Sequence, residues 1–467
     1  MGFLNRVLLV GALLGVAVLF QNYRQYTRPL PAPKMNFNAY WGPGNGNAYK
    51  ENIAVKAYDI APKTELIEDL KAQLGRPLKL QEPLEGVAFE YGFNTKYLQK
   101  VVTYWRDNYL TKWTERETFL KKFPHFKTEI QGLNIHFLHV KPKKTNGKKV
   151  LPLLLLHGWP GSVREFYDII PMLTTPNAKS EYVFEVVVPS LPGYGWSQGS
   201  SKTGFGPAQI AVVMRNLMLR LGHPKFVVQG GDWGALIGAG IASFFPRNVI
   251  GYHSNMCGVL TPTAMAKVFI SKIWPSFFYE EHQIAFHFPE RNLLVQMLEE
   301  MGYAHIQGTK PDTIGTALAH NPVGLAAYIL EKFSTWTNPS FLKLADGGLT
   351  KRYTLDALLD NVMIYYVTNS ITTSQRLYAE AFSKAQMELE MDRVQTNVPT
   401  GCARFKHDLM HASDWQLKEK FLNLVHSTYY VNGGHFAAME LPETLYNDFL
   451  EFIKKAVSVE STKKEDL

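Results

Sequence analysis

Cysteine is almost missing from this chain, with only Cys257 and Cys402 among 467 residues. They stand far apart with no Cys-x-x-Cys spacing, which argues against a disulfide framework or a thiolate zinc site; both read as small buried apolar residues in a reducing compartment. Dense charge of one sign is also lacking. The 49 basic and 41 acidic residues leave a net +8 spread thinly along the chain. No Lys/Arg stripe is interleaved with aromatics, so nothing points to nucleic acid, whereas a mildly basic surface suits anionic lipid. Internal repeats and low-complexity tracts are missing, and no dinucleotide loop, phosphate cradle or metal-ligand motif occurs, so neither cofactor nor metal is expected. No feature signals an obligate protein partner.

Long apolar runs are scarce, and the one present is informative. After Asn5 and Arg6, Val7 to Phe20 is unbroken apolar residues or Gly, and with Phe3 and Leu4 it approaches membrane-spanning length. No small-x-small cleavage site follows; the chain continues Gln21, Asn22, Tyr23, Arg24, an interfacial flank. Residues 1–22 are therefore expected to be a retained single-pass anchor. Arg24, Arg28 and Lys34 after the run, against Arg6 before it, lean toward a cytosolic body. The final Lys464-Glu465-Asp466-Leu467 has the composition of a retrieval signal in another order and reads as part of a polar tail over 458–467.

Residues 23–129 comprise a Pro/Gly/Asn-rich linker to about Gly46 and then a helical region, with Thr64 a candidate cap before Leu66, Ile67, Leu70 and Leu74. From 130 to 257 the character changes. Leu133–Val140 alternates, while Val150–Leu156, Phe184–Val188 and Phe226–Gln229 are continuous apolar strands separated by helical stretches such as Ala208–Leu221. This alternation predicts a parallel sheet with helices on both faces. Residues 258–395 turn helical and aromatic-rich, and strands return at Val398–Ala403 and Ser427–Val431 within 396–457. The pattern is an α/β core carrying a mostly helical inserted cap.

The strand Phe226–Gln229 runs into Gly230-Gly231-Asp232-Trp233-Gly234 and then a helical Ala235–Phe245, the strand, sharp turn and helix of a nucleophile elbow. By itself this also fits a Gly-Gly-Asp turn capping a helix. The aspartate has chemical meaning. A serine attacking saturated carbon would form an ether that water cannot readily cleave, whereas Asp232 forms an ester whose carbonyl remains open to attack. An Asp elbow thus predicts displacement at sp3 carbon in an α/β-hydrolase.

The strand Val150–Leu156 leads to His157-Gly158-Trp159-Pro160-Gly161-Ser162, where such folds build an oxyanion hole; the backbone N–H groups of Trp159 and Trp233 are the candidate donors. Near the C-terminus, Val431-Asn432-Gly433-Gly434-His435-Phe436 sets a histidine just after the final strand, placed to be the general base with a carboxylate on its far nitrogen.

These motifs together resemble the microsomal epoxide hydrolase family, from the N-terminal apolar run and Trp41-Gly42-Pro43-Gly44 through nearly the entire chain. Particularly specific are Pro124-His125-Phe126-Lys127-Thr128, the His157–Ser162 loop, Pro192-Gly193-Tyr194-Gly195, the Asp232 elbow, Lys310-Pro311-Asp312-Thr313 and Gly433-Gly434-His435-Phe436. The resemblance implies hydrolysis of apolar epoxides at the endoplasmic reticulum membrane, with two cap tyrosines that protonate the epoxide oxygen. Tyr303 and Tyr378 fall on the matching positions. At the triad acid the chain departs from the microsomal branch: where that branch has Glu after Pro-Thr-Gly, Pro399-Thr400-Gly401 leads here to Asp408, one methylene shorter, as in related soluble enzymes. Asp414 and Asp392 are the alternatives. The segment Thr368–Ser374 resembles the arthropod branch, whose members hydrolyse juvenile hormone. Two rivals share the fold: a haloalkane dehalogenase, which needs halide-binding N–H donors, and a catalytically silent binder of hormone or lipid, which needs none of these side chains.

Overall fold

The computed structural model describes residues 3–47, 49–288 and 293–465. Strands Lys56–Ala57 (β1), His125–Ile130 (β2), Leu133–Val140 (β3), Lys149–Leu156 (β4), Tyr182–Pro189 (β5), Phe226–Gly230 (β6), Val249–Ser254 (β7), Thr400–Phe405 (β8) and Leu424–Tyr430 (β9) form one sheet. Their order is β1-β2-β3-β5-β4-β6-β7-β8-β9. From β5 to β9 neighbours run parallel, as expected. The β1–β3 edge is antiparallel, so the sheet is mixed. The cause is local: only Gln131 and Gly132 link β2 to β3, both at positive φ (52° and 81°), and so short a turn can close only a hairpin.

The strand β4 shows how the apolar runs divide the core. Leu153 and Leu155 pack on one face with Val186, Val188 and Val227. Leu154 and Leu156 pack on the other with Val187 and Val228. This period-two alternation lets one continuous run serve two helical layers. The cap helices Pro322–Thr335 and Leu355–Thr368 send Leu325, Ile329, Leu358 and Val362 into the second cluster, so cap and sheet share one core there. The strand β7 escapes the apolar-run reading because Gly251 and His253 interrupt its pattern, although all six of its residues are buried.

The N-terminal region is welded to both other parts. Buried Asp360 of the cap accepts from Arg116 Nη2 at 2.5 Å, Tyr109 Oη at 2.9 Å and Arg164 Nε at 3.1 Å. Thr64 opens the helix Thr64–Leu74, but the capping position belongs to Lys63 and no side-chain cap forms. The chain begins with the helix Phe3–Thr27. Among the described residues no helix is long and apolar enough to cross a membrane. The anchor expected over 1–22 and the polar tail over 458–467 are described there mainly as backbone, with the side chains of residues 1–10 and 459–467 outside the description.

The expectation of two unpaired cysteines is overturned. Cys257 and Cys402 form a disulfide with a Cα–Cα distance of 6.1 Å across 145 residues of sequence. Their adjacency is invisible in the sequence because the whole cap intervenes, yet β7 and β8 are neighbours and Ser254 pairs with Cys402. The reducing compartment inferred from unpaired thiols loses its basis. Cross-linking so long a loop restricts the unfolded chain, so replacing both cysteines by Ala is expected to cost about 5 kcal/mol in urea unfolding.

Candidate active site

Asp232 stands at the C-terminal edge of the sheet, between β6 and the helix Trp233–Phe244. Its backbone has φ +50° and ψ −129°, a conformation that a residue with a Cβ adopts only when its surroundings compel it. The compulsion comes from close packing: a Cβ added at Gly234 would collide with the Leu156 carbonyl of β4. The side chain is thereby raised above the sheet, where Oδ1 accepts the Trp159 N–H at 2.7 Å. A Cβ at Gly158 would strike this carboxylate, so that glycine is what lets the loop approach.

His157 aims the loop. Its Nε2 accepts the Leu191 N–H at 3.1 Å, which places the proton on Nδ1, and Nδ1 donates to the Gly158 carbonyl at 3.0 Å. That carbonyl shares a peptide with the Trp159 N–H. Burial drives the His157 pKa down to about 4, so the imidazole stays neutral and keeps this tautomer. From above, Asn361 Nδ2 donates to the Pro160 carbonyl (2.7 Å) and Tyr365 Oη to the Gly161 carbonyl (2.8 Å). Trp233 directly follows Asp232 and opens its helix, where main-chain N–H groups lack intrahelical acceptors.

His435 joins the two carboxylates expected around it. Its Nδ1 lies 2.6 Å from Asp408 Oδ1 and its Nε2 3.5 Å from Asp232 Oδ2. Asp408 therefore reaches the ring despite its shorter side chain, and the Leu409 N–H holds the same oxygen at 2.7 Å. The alternatives are engaged elsewhere: Asp414 with Arg404 at 2.8 Å and Asp392 with Lys420 at 2.9 Å. Burial disfavours the imidazolium, but Asp408 and Asp232 outweigh it and hold the His435 pKa well above the ordinary range.

The cap closes the site with phenols. Tyr303, on the helix Gly302–Thr309, stacks on Trp159 with ring centres 5.2 Å apart and planes 8° from parallel. Tyr378, on the helix Ile371–Ala381, meets Trp233 edge-on at 4.8 Å and lies 5.8 Å from Tyr303. Burial first raises the pKa of both, and the Asp232 charge adds to it, so both phenols keep their protons. All five side chains expected at the site thus converge on one place.

Comparison with known proteins gives the family and the fold. Residues 55–166 match the family described as "Epoxide hydrolase N terminus" and residues 152–393 the "alpha/beta hydrolase fold". The chain is 49% identical to juvenile hormone epoxide hydrolase 1 of Ctenocephalides felis over 100% of both proteins. It is 43% identical to epoxide hydrolase 1 of Sus scrofa, over 89% of this chain and 92% of that one. This chain belongs to the epoxide hydrolases. Among solved structures, juvenile hormone epoxide hydrolase from the silkworm Bombyx mori superposes on this epoxide hydrolase with a TM-score of 0.89 at 45% identity, over 91% of this chain and 100% of that one.

Two further acids of this epoxide hydrolase escape a sequence reading. Glu440 Oε2 and Oε1 accept the N–H groups of Gly434 (2.8 Å) and Phe436 (2.9 Å), holding the residues on either side of His435. Glu165 borders a small cavity shared with Gly158, Asp232, Asn255 and His435. Burial, reinforced by the charge of Asp232 and countered by His435, pushes the Glu165 carboxyl up to about 8 from 4.5. Neither role leaves a mark in the sequence, since each acid sits in a short helical turn like many others. A carboxyl with a raised folded pKa contributes stability that is complete below its unfolded pKa and lost as pH rises through the folded one. Stability against urea is therefore expected to fall as pH rises from 4.5 to about 8, and Glu165→Gln to flatten that slope.

Proposed function

We propose that the protein opens apolar epoxides to vicinal diols through an ester on Asp232. The observation that carries this reading is His435 held between Asp232 and Asp408 beneath two protonated, buried phenols. An Asp232 oxygen attacks an epoxide carbon, the ring C–O bond breaks, and the oxygen takes a proton from Tyr303 or Tyr378. Ester formation abolishes the Asp232 charge. His435 then loses one of the two carboxylates that kept its pKa high, and its proton returns to the tyrosinate. The neutral imidazole, oriented by Asp408, removes a proton from water. Hydroxide adds to the ester carbonyl while the Trp159 and Trp233 N–H groups hold the oxyanion. Collapse releases the diol and restores the carboxylate and the imidazolium.

Among the described residues the buried indole N–H of Trp159 has no partner, while that of Trp233 is directed at the Tyr378 hydroxyl; a halide-binding rival would need such donors. Two phenols above the nucleophile favour an oxygen leaving group instead, and chloroalkanes are expected to be inert. The relatives named for juvenile hormone make that epoxide the leading natural substrate of this reading. The N-terminal helix, which exposes Leu13, Val16, Val18 and Phe20, fits attachment to lipid at the endoplasmic reticulum membrane. The mechanism is tested by a single turnover in heavy-oxygen water followed by peptide mass analysis. Label is expected in the Asp232 carboxylate, and label appearing only in the diol would exclude the ester.

A further inference from the structure

Beside the catalytic centre lies a second, larger space. A chamber of about 480 Å³ is walled mainly by apolar side chains, among them Trp233, Leu236, Met256, Leu260, Phe382 and Met387. It adjoins the site through two walls. Trp233 separates it from Tyr378, and along the strand end Ser254 and Met256 face the chamber while Asn255, between them, lines the small cavity at Asp232. None of the steps assigned above uses this space.

The rim of the chamber is exposed and apolar at Leu236, Leu260, Phe382 and Met387. Thr261 and Pro262, also in its wall, begin the cap helix Pro262–Ile273. That helix and the short one after it expose Phe269 (70%), Ile273 (76%), Trp274 (64%) and Phe277 (70%). Four large apolar side chains this far out of the protein mark a surface built for an apolar partner. On the same side stands the N-terminal helix. The guanidinium of Arg393, another wall residue, donates to the Gln25 carbonyl at 2.6 Å and the Arg28 carbonyl at 2.9 Å, so the chamber lies at the foot of that helix. Exposed Arg24, Arg28 and Lys272 supply positive charge around these apolar faces, the arrangement that suits an anionic lipid surface.

We propose that the face carrying Phe269, Ile273, Trp274 and Phe277 seats in a lipid layer and that the chamber takes up the apolar chain of an epoxide directly from it. The proposal rests on the epoxide reading above and adds the route and the site for the chain. A long alkyl chain gains free energy with each methylene moved out of water, but one already dissolved in lipid gains little. The advantage of direct transfer is that the chain need never cross water.

Two sets of variants of the full chain test it, with a long-chain terminal alkyl epoxide carried in phosphatidylcholine–phosphatidylserine vesicles and styrene oxide dissolved in water as probes. Filling the chamber by Leu236→Trp or Met387→Trp is expected to lower the ratio of kcat/KM for the long-chain over the aryl epoxide by about tenfold. Charging the face by Phe269→Glu with Ile273→Glu is expected to slow hydrolysis of the vesicle-held epoxide by about tenfold and that of styrene oxide less than twofold. Melting temperatures within a few degrees of the parent show that each variant is folded. Ratios that stay fixed in the chamber variants overturn the proposal. So does a charged face that leaves vesicle kinetics untouched while dissociating a dimer, since the face would then be covered by a second copy. A parent protein inert on both epoxides would refute the epoxide reading itself.

Discussion

Replacing Asp232 by Ala is expected to lower epoxide turnover by about 10⁴-fold or more while leaving the protein folded. No neighbouring carboxylate can substitute. Asp408 is held against His435 and the Leu409 amide, and Glu165 keeps its proton up to a pH of about 8. The stability cost is expected to be small, because the substitution removes a carboxylate from a crowded, partly buried position and leaves the elbow to the glycines that shape it. The melting temperature is expected to stay level or rise, as at other sites where strain and charge are kept for chemistry. A variant that retains a tenth of the parent kcat with juvenile hormone or styrene oxide would remove Asp232 from the reaction.

His435→Gln is expected to separate the two halves of the reaction. Ester formation needs the Asp232 carboxylate and the phenols, whereas its hydrolysis needs a base on water. The variant is therefore expected to react once, gain the mass of one epoxide on the peptide bearing Asp232, and release diol about 10³-fold more slowly than the parent. The pH dependence has a definite sign. In the resting enzyme two carboxylates raise the His435 pKa, and esterification removes one of them. Hydrolysis in the parent is therefore expected to rise with pH along a limb whose apparent pKa lies below that of the resting imidazole. Rapid-quench measurement of ester decay across pH checks this, and a pH-independent decay would mean that another group activates the water.

Asp232 and His435, the proposed nucleophile and base, are legible in the sequence because each is bound to a local pattern. Asp232 sits in a glycine-flanked turn after an apolar strand, and His435 follows a Gly-Gly step after the last strand. The tyrosines needed the family resemblance, since nothing in the periodicity of their helices separates them from packing residues. Other features depend on contacts between distant segments. Asn361 and Tyr365 fasten the Trp159 loop from 201 and 204 residues away, and no local signal could link them to it. The disulfide was missed for the same reason. The hairpin edge of the sheet was misread for a different one: strand periodicity reports burial, while the direction of a strand is decided by its connection.

The bond between Cys257 and Cys402 also has an architectural consequence. Both ends of the inserted cap leave the sheet beside it, so the bridge acts as a hem sewn across the neck of a bag. Residues inside the hem can be lengthened, shortened or repacked while the spacing of β7 and β8 stays the same. Variation in the contents of the bag, which include both phenols and most of the chamber rim, can thus alter which epoxide is accepted while Asp232, His435 and Asp408, the proposed nucleophile, base and acid, remain outside the seam.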